Sequence, residues 1–507
     1  MKKRIGSLLL CLLMLVTILS GCGVGKGSSD DEAVIADTQC PNTLDLAQSW
    51  DSWFTSRWGI TETLYKLDNN LNPQPWLAVS CENKDPNTWV ITLRDNVKFQ
   101  NGKSLTAEAV RRCWLRTEKI NPRFSELMEI KDMEANGRTL TIHTEKPVPA
   151  MKNQLSDPLT GVVDISSGRN LATHPVGTGP YIAQEYEPNV QATVKRYDGY
   201  WRGRPYFKKV TIDILPDTNT MVLAQQNGEI DLSMYVPSSN LSLFQDKKKY
   251  IIDKAAGSRA EILYFNFMTT ALQEPAIRRA LSMCIDKKNY AKIINKDGSA
   301  PAEALYPESV YYGKVHGYPF QMRAAARELD RAGIVDRDGD GIRECRGKPV
   351  SLRLITYNTR PELPNFANEI AASAKKLGLK IGVEVYDDVS KQESEGDFDL
   401  LLMSFTMPPT GDPQYFADMV FRTGGSSNFG KYSSHKVDAL VEELDTEFSP
   451  ERRKELTTQI QREVLADAAF VVIGHSNFIC VRKADIQGFF INPSEYYVLD
   501  GNIRRGR

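Results

Sequence analysis

A strand pattern, a helix pattern and a second strand pattern follow one another over residues 350–386, and this alternation constrains the fold more than any other feature of the chain. Val350 to Tyr357 is apolar enough for a buried strand, and Leu363 to Leu377 repeats apolar residues at helical spacing. Gly378 supplies a stop signal, and Lys380 to Tyr386 alternates as a second strand. Together they read as a βαβ unit. Asp399 to Phe405 adds a further apolar strand, Ser434 to Glu447 and Pro450 to Asp467 add amphipathic helices, and Phe470 to Ile473 returns as a strand. The expectation for this half is an α/β lobe with helices on a mostly parallel sheet. The N-terminal half is richer in strands, with Trp89 to Leu93 and Thr139 to His143 flanking a helix from Thr106 to Lys119.

The N-terminus says where the chain folds. Lys2, Lys3 and Arg4 precede the nearly uncharged run Ile5 to Leu19, which is shorter than the roughly 20 residues that span a bilayer. The run ends in Leu19-Ser20-Gly21-Cys22, which resembles the bacterial lipobox and implies a lipid on Cys22. Residues 1–21 are thus expected to be a lipoprotein signal peptide and 22–32 a flexible tether, since Gly23 to Asp31 is small and polar except for Val24. No later stretch is apolar enough for a second span, so the rest is expected as a monomeric body anchored by lipid on the extracytoplasmic face of the cell membrane.

Charge and motifs then exclude whole classes. Without the three basic residues of the signal, 60 basic side chains stand against 64 acidic ones, a balance that argues against nucleic acid as partner. Cys40, Cys81, Cys113, Cys284, Cys345 and Cys480 are scattered without a Cys-x-x-Cys pair, which indicates neither a zinc site nor a disulfide scaffold. There is no Gly-x-Ser-x-Gly, His-Glu-x-x-His or Walker sequence, so an enzyme is not expected. The five histidines are dispersed, and His475 reads as a packing or hydrogen-bonding residue before a metal ligand. Asp336, Asp338 and Asp340 with Gly341 look like the start of a calcium loop, but position twelve is Gly347 where such a loop needs a bidentate Glu. The competing reading is a solvated acidic turn, and no resident cofactor is expected.

Several segments carry a family resemblance. They are Thr61-Glu62-Thr63-Leu64, the run from Trp89 to Gly102 with Leu105 to Val110, Pro175-Val176-Gly177-Thr178-Gly179-Pro180-Tyr181, Phe265-Asn266, Arg278 to Ser282 with Ile285-Asp286-Lys287, and Gly411-Asp412-Pro413. In this order and spacing they resemble the family 5 extracellular solute-binding proteins, the peptide, nickel and opine class that serves ABC importers. The resemblance implies a two-lobed periplasmic-binding-protein-like fold with a ligand cleft between the lobes. Lobe one would hold 33–257, with an extra subdomain at about 61–171, and lobe two 258–476, with 477–507 returning to lobe one. Two chain crossings would form a hinge. Gly177-Thr178-Gly179 is directly followed by Pro180 and opens no dinucleotide-binding helix, so it reads as a turn into a strand.

The same resemblance points to the solute. It implies cleft walls before Thr61, after the strand ending at Tyr357, and from Phe405 to Tyr432. Trp50, Trp53 and Arg57 stand in the first, Tyr357 and Arg360 in the second, and Thr410, Arg422 and Asn428 in the third. Aromatic walls with cations suit a ligand having apolar and anionic parts. Peptide-binding relatives usually carry an aspartate three residues before the Asp-Pro pair, where Pro409 stands here. Nickel-binding relatives use a histidine after the arginine matching Arg422, where Gly424-Gly425-Ser426-Ser427 has none, and an Arg-Pro-x-Arg stretch where Ser156-Asp157-Pro158-Leu159 stands. What remains resembles the branch that takes metal already chelated, in which an arginine and an asparagine at the positions of Arg422 and Asn428 hold ligand carboxylates. The expected ligand is a nickel or cobalt chelate, with an oligopeptide as the alternative, and the expected partners are the permease and ATPase of an importer. An exported hydrolase or a ligand sensor are the readings from other classes.

Overall fold

The computed structural model describes residues 30–293, 311, 313, 315–360 and 362–506. The signal segment, Cys22 and the first part of the tether lie outside the described residues. The alternation over 350–386 is present: strand Ser351–Tyr357, helix Glu362–Lys375 and strand Lys380–Tyr386, the two strands pairing in parallel. Leu400–Thr406 joins the other side of Ser351–Tyr357, again in parallel. Every one of its residues is buried, so it reads as an unbroken apolar run instead of an alternation.

The sheet is nonetheless mixed, which corrects the expectation of a mostly parallel one. Next to Leu400–Thr406 come Tyr250–Phe265 and Phe470–Lys483, each antiparallel to its neighbour. The chain enters lobe two along the first of these strands and leaves it along the second, so the two must run in opposite directions. Both continue into lobe one, where Phe470–Lys483 pairs with Leu232–Met234. From there the sheet extends through Glu32–Asp37, Lys209–Ile214, Gln191–Arg196 and Tyr181–Glu187, so that ten strands run through both lobes. Between the lobes the register slips: Ala256 faces Asn477, but Ala260 faces His475. A bulge bends and twists a strand pair, and this one lies where the two lobes join. Gly257 sits there so close to its neighbour that a Cβ would meet the Ser476 carbonyl oxygen at 2.4 Å.

Lobe one carries an extra subdomain, a separate four-stranded antiparallel sheet of Ala78–Asp85, Thr88–Leu93, Thr139–Thr144 and Ile130–Asn136. Helix Ala107–Ile120 packs on it through Val110, Cys113 and Trp114, and Thr106 caps the helix by accepting from the Ala109 N–H. Asn121 ends that helix and caps the next, Pro122–Met128, which has proline at its first position. Gly177 and Gly179 are required by close backbone approach, since a Cβ would meet the Ile60 and Gly59 carbonyl oxygens at 2.0 and 2.2 Å. The six cysteines beyond Cys22 are free thiols.

The C-terminal tail straps the two lobes. Ser258 donates its N–H and hydroxyl to the Pro493 carbonyl, at 3.2 and 3.0 Å. Tyr496 donates to the Pro409 carbonyl of lobe two at 2.9 Å, and Tyr497 accepts from the Leu67 N–H of lobe one at 3.1 Å.

Candidate ligand site between the lobes

The short helix Ser52–Arg57 places Trp53 and Arg57 on the lobe-one wall, with Trp50 just before it. Trp50 meets Trp53 edge to face at 4.9 Å between ring centres and reaches Phe405 of lobe two at 6.4 Å. Trp53 packs on Tyr496 at 5.4 Å. Trp58, one helical turn further, is instead core. The cleft is therefore walled by aromatic rings from both lobes and the tail.

Along this wall lies a buried charge cluster. The Glu495 carboxylate accepts from Arg259 Nε and Nη2 at 3.2 and 3.1 Å and from the Tyr235 hydroxyl at 2.8 Å, and it lies 3.9 Å from Arg360 Nη2. Arg57 donates Nε to the Glu495 carbonyl at 3.0 Å and Nη1 to Asp37 at 3.1 Å. Burial alone would raise the Glu495 carboxyl, but Arg259, Arg360 and Arg57 draw it down to about 2. Burial likewise opposes the charge on Arg57, and Tyr235, Asp37 and Glu495 more than offset it, so Arg57 stays ionised, whereas burial raises the Asp37 carboxyl despite Arg57. Glu495 itself adopts φ 62°, a left-handed conformation costly for a residue with a Cβ, at the point where its carboxylate is delivered.

The hinge side of this cluster opens into a cavity of about 500 Å³ lined by both lobes, with Tyr235 and Ser238 on one side, Arg360 and Glu362 on the other, and Glu261 with Ser476 at the floor. Ser476 donates to Glu261. Burial, helped by the nearby Glu362, pushes the Glu261 carboxyl up to about 8 against the pull of Ser476 and Arg360. Register pairing puts Thr406 beside Arg259 and Ser404 beside Glu261 on the same face of the sheet. Their hydroxyls, like Trp53 Nε1, are buried and make no hydrogen bond within the protein.

At the other end of the aromatic wall, Arg123 lies over Trp50 with its guanidinium carbon 3.3 Å from the ring centre. Its Nε donates to the Tyr415 hydroxyl of lobe two at 3.2 Å. Arg123 Nη1 and Nη2 are buried without a hydrogen bond, as is Oδ2 of Asp157, 3.9 Å away. Burial raises the Asp157 carboxyl despite Arg123. Leaving such groups without hydrogen bonds costs about 1–3 kcal/mol each, and more when charged, so groups of this kind beside a cleft are candidates for contact with a bound molecule.

The structure thus brings Trp50, Trp53, Arg57 and Arg360 together. Tyr357 joins them, accepting from the Ser404 N–H at 3.1 Å beside Arg360. Thr410 is buried at the lobe contact, where its carbonyl accepts from Asn153 of lobe one at 2.9 Å. Arg422 is not brought to this cluster: it pairs with Asp418 at 2.9 Å and with Asp445. Asn428 spends its amide on the Arg422 and Tyr432 carbonyls and accepts the Tyr432 N–H, closing a turn. His475 is buried against the Gly257 and Ser258 backbone, and burial lowers it to about 3. Asp336, Asp338 and Asp340 form an exposed acidic turn in which Asp336 accepts from the Gly339 and Gly341 N–H groups at 2.7 and 2.9 Å. Sequence reasoning missed Arg123, Tyr235, Arg259, Glu261 and Glu495. Arg259 and Glu261 did leave a signal, as charges at alternate positions of the otherwise apolar run Ser258 to Phe265.

Known proteins resemble the chain over most of its length. Residues 72–428 match the family model described as bacterial extracellular solute-binding proteins, family 5. The nickel-binding protein NikA of Staphylococcus aureus is 25% identical over 487 residues, 96% of each chain. The crystal structure of Staphylococcus aureus NikA in complex with Ni(L-His)2 superposes with a TM-score of 0.85 at 23% identity, over 94% of this chain and 100% of that one. The oligopeptide-binding protein AppA of Bacillus subtilis in complex with a nonapeptide superposes with a TM-score of 0.82 at 19% identity, over 94% and 99%. With the two-lobed fold, the strapped hinge and a family match over most of its length, the chain belongs to the bacterial extracellular solute-binding proteins of family 5.

Proposed function

We propose that this protein captures a small metal chelate, with nickel or cobalt as cargo, between its lobes and delivers it to the permease and ATPase of an ABC importer without transforming it. The observation that carries this reading is the set of buried donors without hydrogen bonds on the two cleft walls, above all the two Nη groups of Arg123, which lies over Trp50. Guanidinium N–H groups and ring faces suit the carboxylates and flat sides of a chelating molecule, and the guanidinium charge repels a bare cation. The nickel-binding relatives support the same class. Lipidation of Cys22 would hold the protein at the outer face of the membrane, and among the described residues no helix is long and apolar enough to cross one. A Cys22→Ser variant that still partitions into detergent would disprove the anchor.

An oligopeptide is the second reading, favoured by one observation. The cleft continues past the arginine cluster into the cavity of about 500 Å³, lined by residues of both lobes and roomy enough for further side chains of a peptide. Native mass spectrometry of the mature chain, purified from cells grown with nickel, tests the choice. A retained mass with the nickel isotope pattern supports the chelate. Retained masses of metal-free peptides alone would replace it with the peptide reading.

A further inference from the structure

We infer that the cavity on the hinge side is a binding site for an alkylammonium group, a primary amine on a short methylene chain, held between the carboxylates of Glu261 and Glu362. The aromatic rings of the cleft wall do not line this cavity, so the inference goes beyond the chelate reading and does not depend on the solute bound at that wall. One face of the helix Glu362–Lys375 borders the cavity: Glu362, Asn365, Phe366 and Glu369 follow at helical spacing, and all four line it. Glu261 lines it from a hinge strand, although the residue is only 2% exposed. Ser476 donates to its Oε1, and among the described residues no other side chain donates to this carboxyl. Its second oxygen is thus left for a guest in the cavity.

Charge makes that guest a cation. Three carboxyl groups, of Glu261, Glu362 and Glu369, border the cavity against one cation, Arg360. Arg360 is already engaged, 3.9 Å from Glu495 and over the Tyr235 ring at 4.6 Å. The charged groups acting on Glu261 are Glu362 and Arg360. Burial and Glu362 outweigh Arg360, so the carboxyl is pushed up to about 8 and keeps its proton at neutral pH. An ammonium group placed between the two carboxyls displaces that proton to solvent and donates N–H bonds to both, and charge-assisted bonds of this kind are about twice as strong as neutral ones. Val236, Phe366 and Ile479, all buried and all at the cavity, give the methylenes apolar contact. The same apolar lining offers a bare metal ion no ligand atoms, which favours an organic cation.

Calorimetry on the mature chain near neutral pH tests this with diaminopentane, with pentanediol as its neutral counterpart, and with the peptides Ala-Lys-Ala and Ala-Ala-Ala. The amine is expected to bind at least about tenfold more tightly than the diol, with release of a proton, read as a binding heat that changes with the ionisation heat of the buffer. Glu362→Gln should weaken the amine at least about tenfold, and Glu261→Gln should do the same while abolishing the proton release. Asp338→Asn, on the exposed acidic turn, should change neither, and melting curves verify that the variants fold. Glu362 is only half-buried, so its variant decides if Glu261→Gln fails to fold. Ala-Lys-Ala bound more tightly than diaminopentane would make a basic peptide side chain the source of the ammonium, and the reverse a free amine, with Ala-Ala-Ala the weaker peptide in both cases. A wild type that binds no amine, or binds it unchanged in both glutamine variants, overturns the inference. Displacement of the amine by nickel chloride alone also overturns it, since the cavity would then be a metal site. None of these outcomes bears on the chelate reading, whose test is the retained mass.

Discussion

Glu261 and Glu495 both adjoin Arg360, yet their surroundings drive them in opposite directions. Glu495 is ringed by guanidinium groups and falls to about 2, whereas Glu261 is buried beside Glu362 and rises to about 8. A carboxyl raised in the folded state contributes stability that is present below its ordinary value near 4.5 and is lost as pH rises through about 8. Melting of the ligand-free protein is therefore expected to weaken from pH 5 to pH 8.5, and Glu261→Gln should remove about 3–5 kcal/mol of that dependence. Identical slopes for the two proteins would refute the assignment. The depressed Glu495 acts with the other sign, its contribution disappearing as pH falls from 4.5 through about 2. At this scale the sequence was legible only in part. The wall residues Trp50, Trp53, Arg57 and Arg360 were found because family motifs marked their stretches. Arg123 was not, because its partner Tyr415 lies 292 residues away. The engagement of Arg422 with Asp418 and Asp445 is equally a tertiary fact, since four-residue spacing suggests one of these pairs and nothing local suggests the other.

Among the elements, those with strong periodicity and clear ends were the legible ones. The helix beginning after Ser434 and the strand Lys380–Tyr386 lie within a residue or so of the patterns that announce them. The two hinge strands were not seen at full length. Their lobe-one halves, such as Tyr250 to Ala256, mix Asp and Lys into the run, because one face of the sheet there is only half covered. Their shared bulge is a tertiary feature, and its tightest point offers a test. A Cβ on Gly257 would overlap the Ser476 carbonyl, which belongs to the opposite strand and cannot rotate away. Gly257→Ala is expected to push the strands apart and to cost about 1–3 kcal/mol, read as a lowered melting temperature with ligand affinity reduced as well. A wild-type melt would show that the hinge strands are looser than this packing implies.

For the whole molecule, contacts between lobes lie around a cleft whose own polar groups are incompletely bonded. Ser426 of lobe two donates to Glu126 of lobe one at 2.7 Å, Asn153 reaches Thr410, and the tail joins Pro409. Of these bonds Ser426–Glu126 is exposed and worth little, whereas Tyr496–Pro409 is buried, as is the Arg259–Glu495 pair that also joins lobe two to the tail. Arg123 Nη1 and Nη2, Asp157 Oδ2 and the Ser404 and Thr406 hydroxyls meanwhile have no hydrogen bond within the protein. A ligand that bonds to both walls favours the closed arrangement about the bulged strands, because only that arrangement presents all of those groups at once. Small-angle scattering of the mature chain should accordingly show a larger radius of gyration alone than with saturating nickel–histidine. The difference should shrink in Arg123→Lys, which retains the charge but loses the second Nη contact. Superimposable profiles with and without bound ligand would mean that the rim contacts and the C-terminal strap, and not the solute, hold the lobes together.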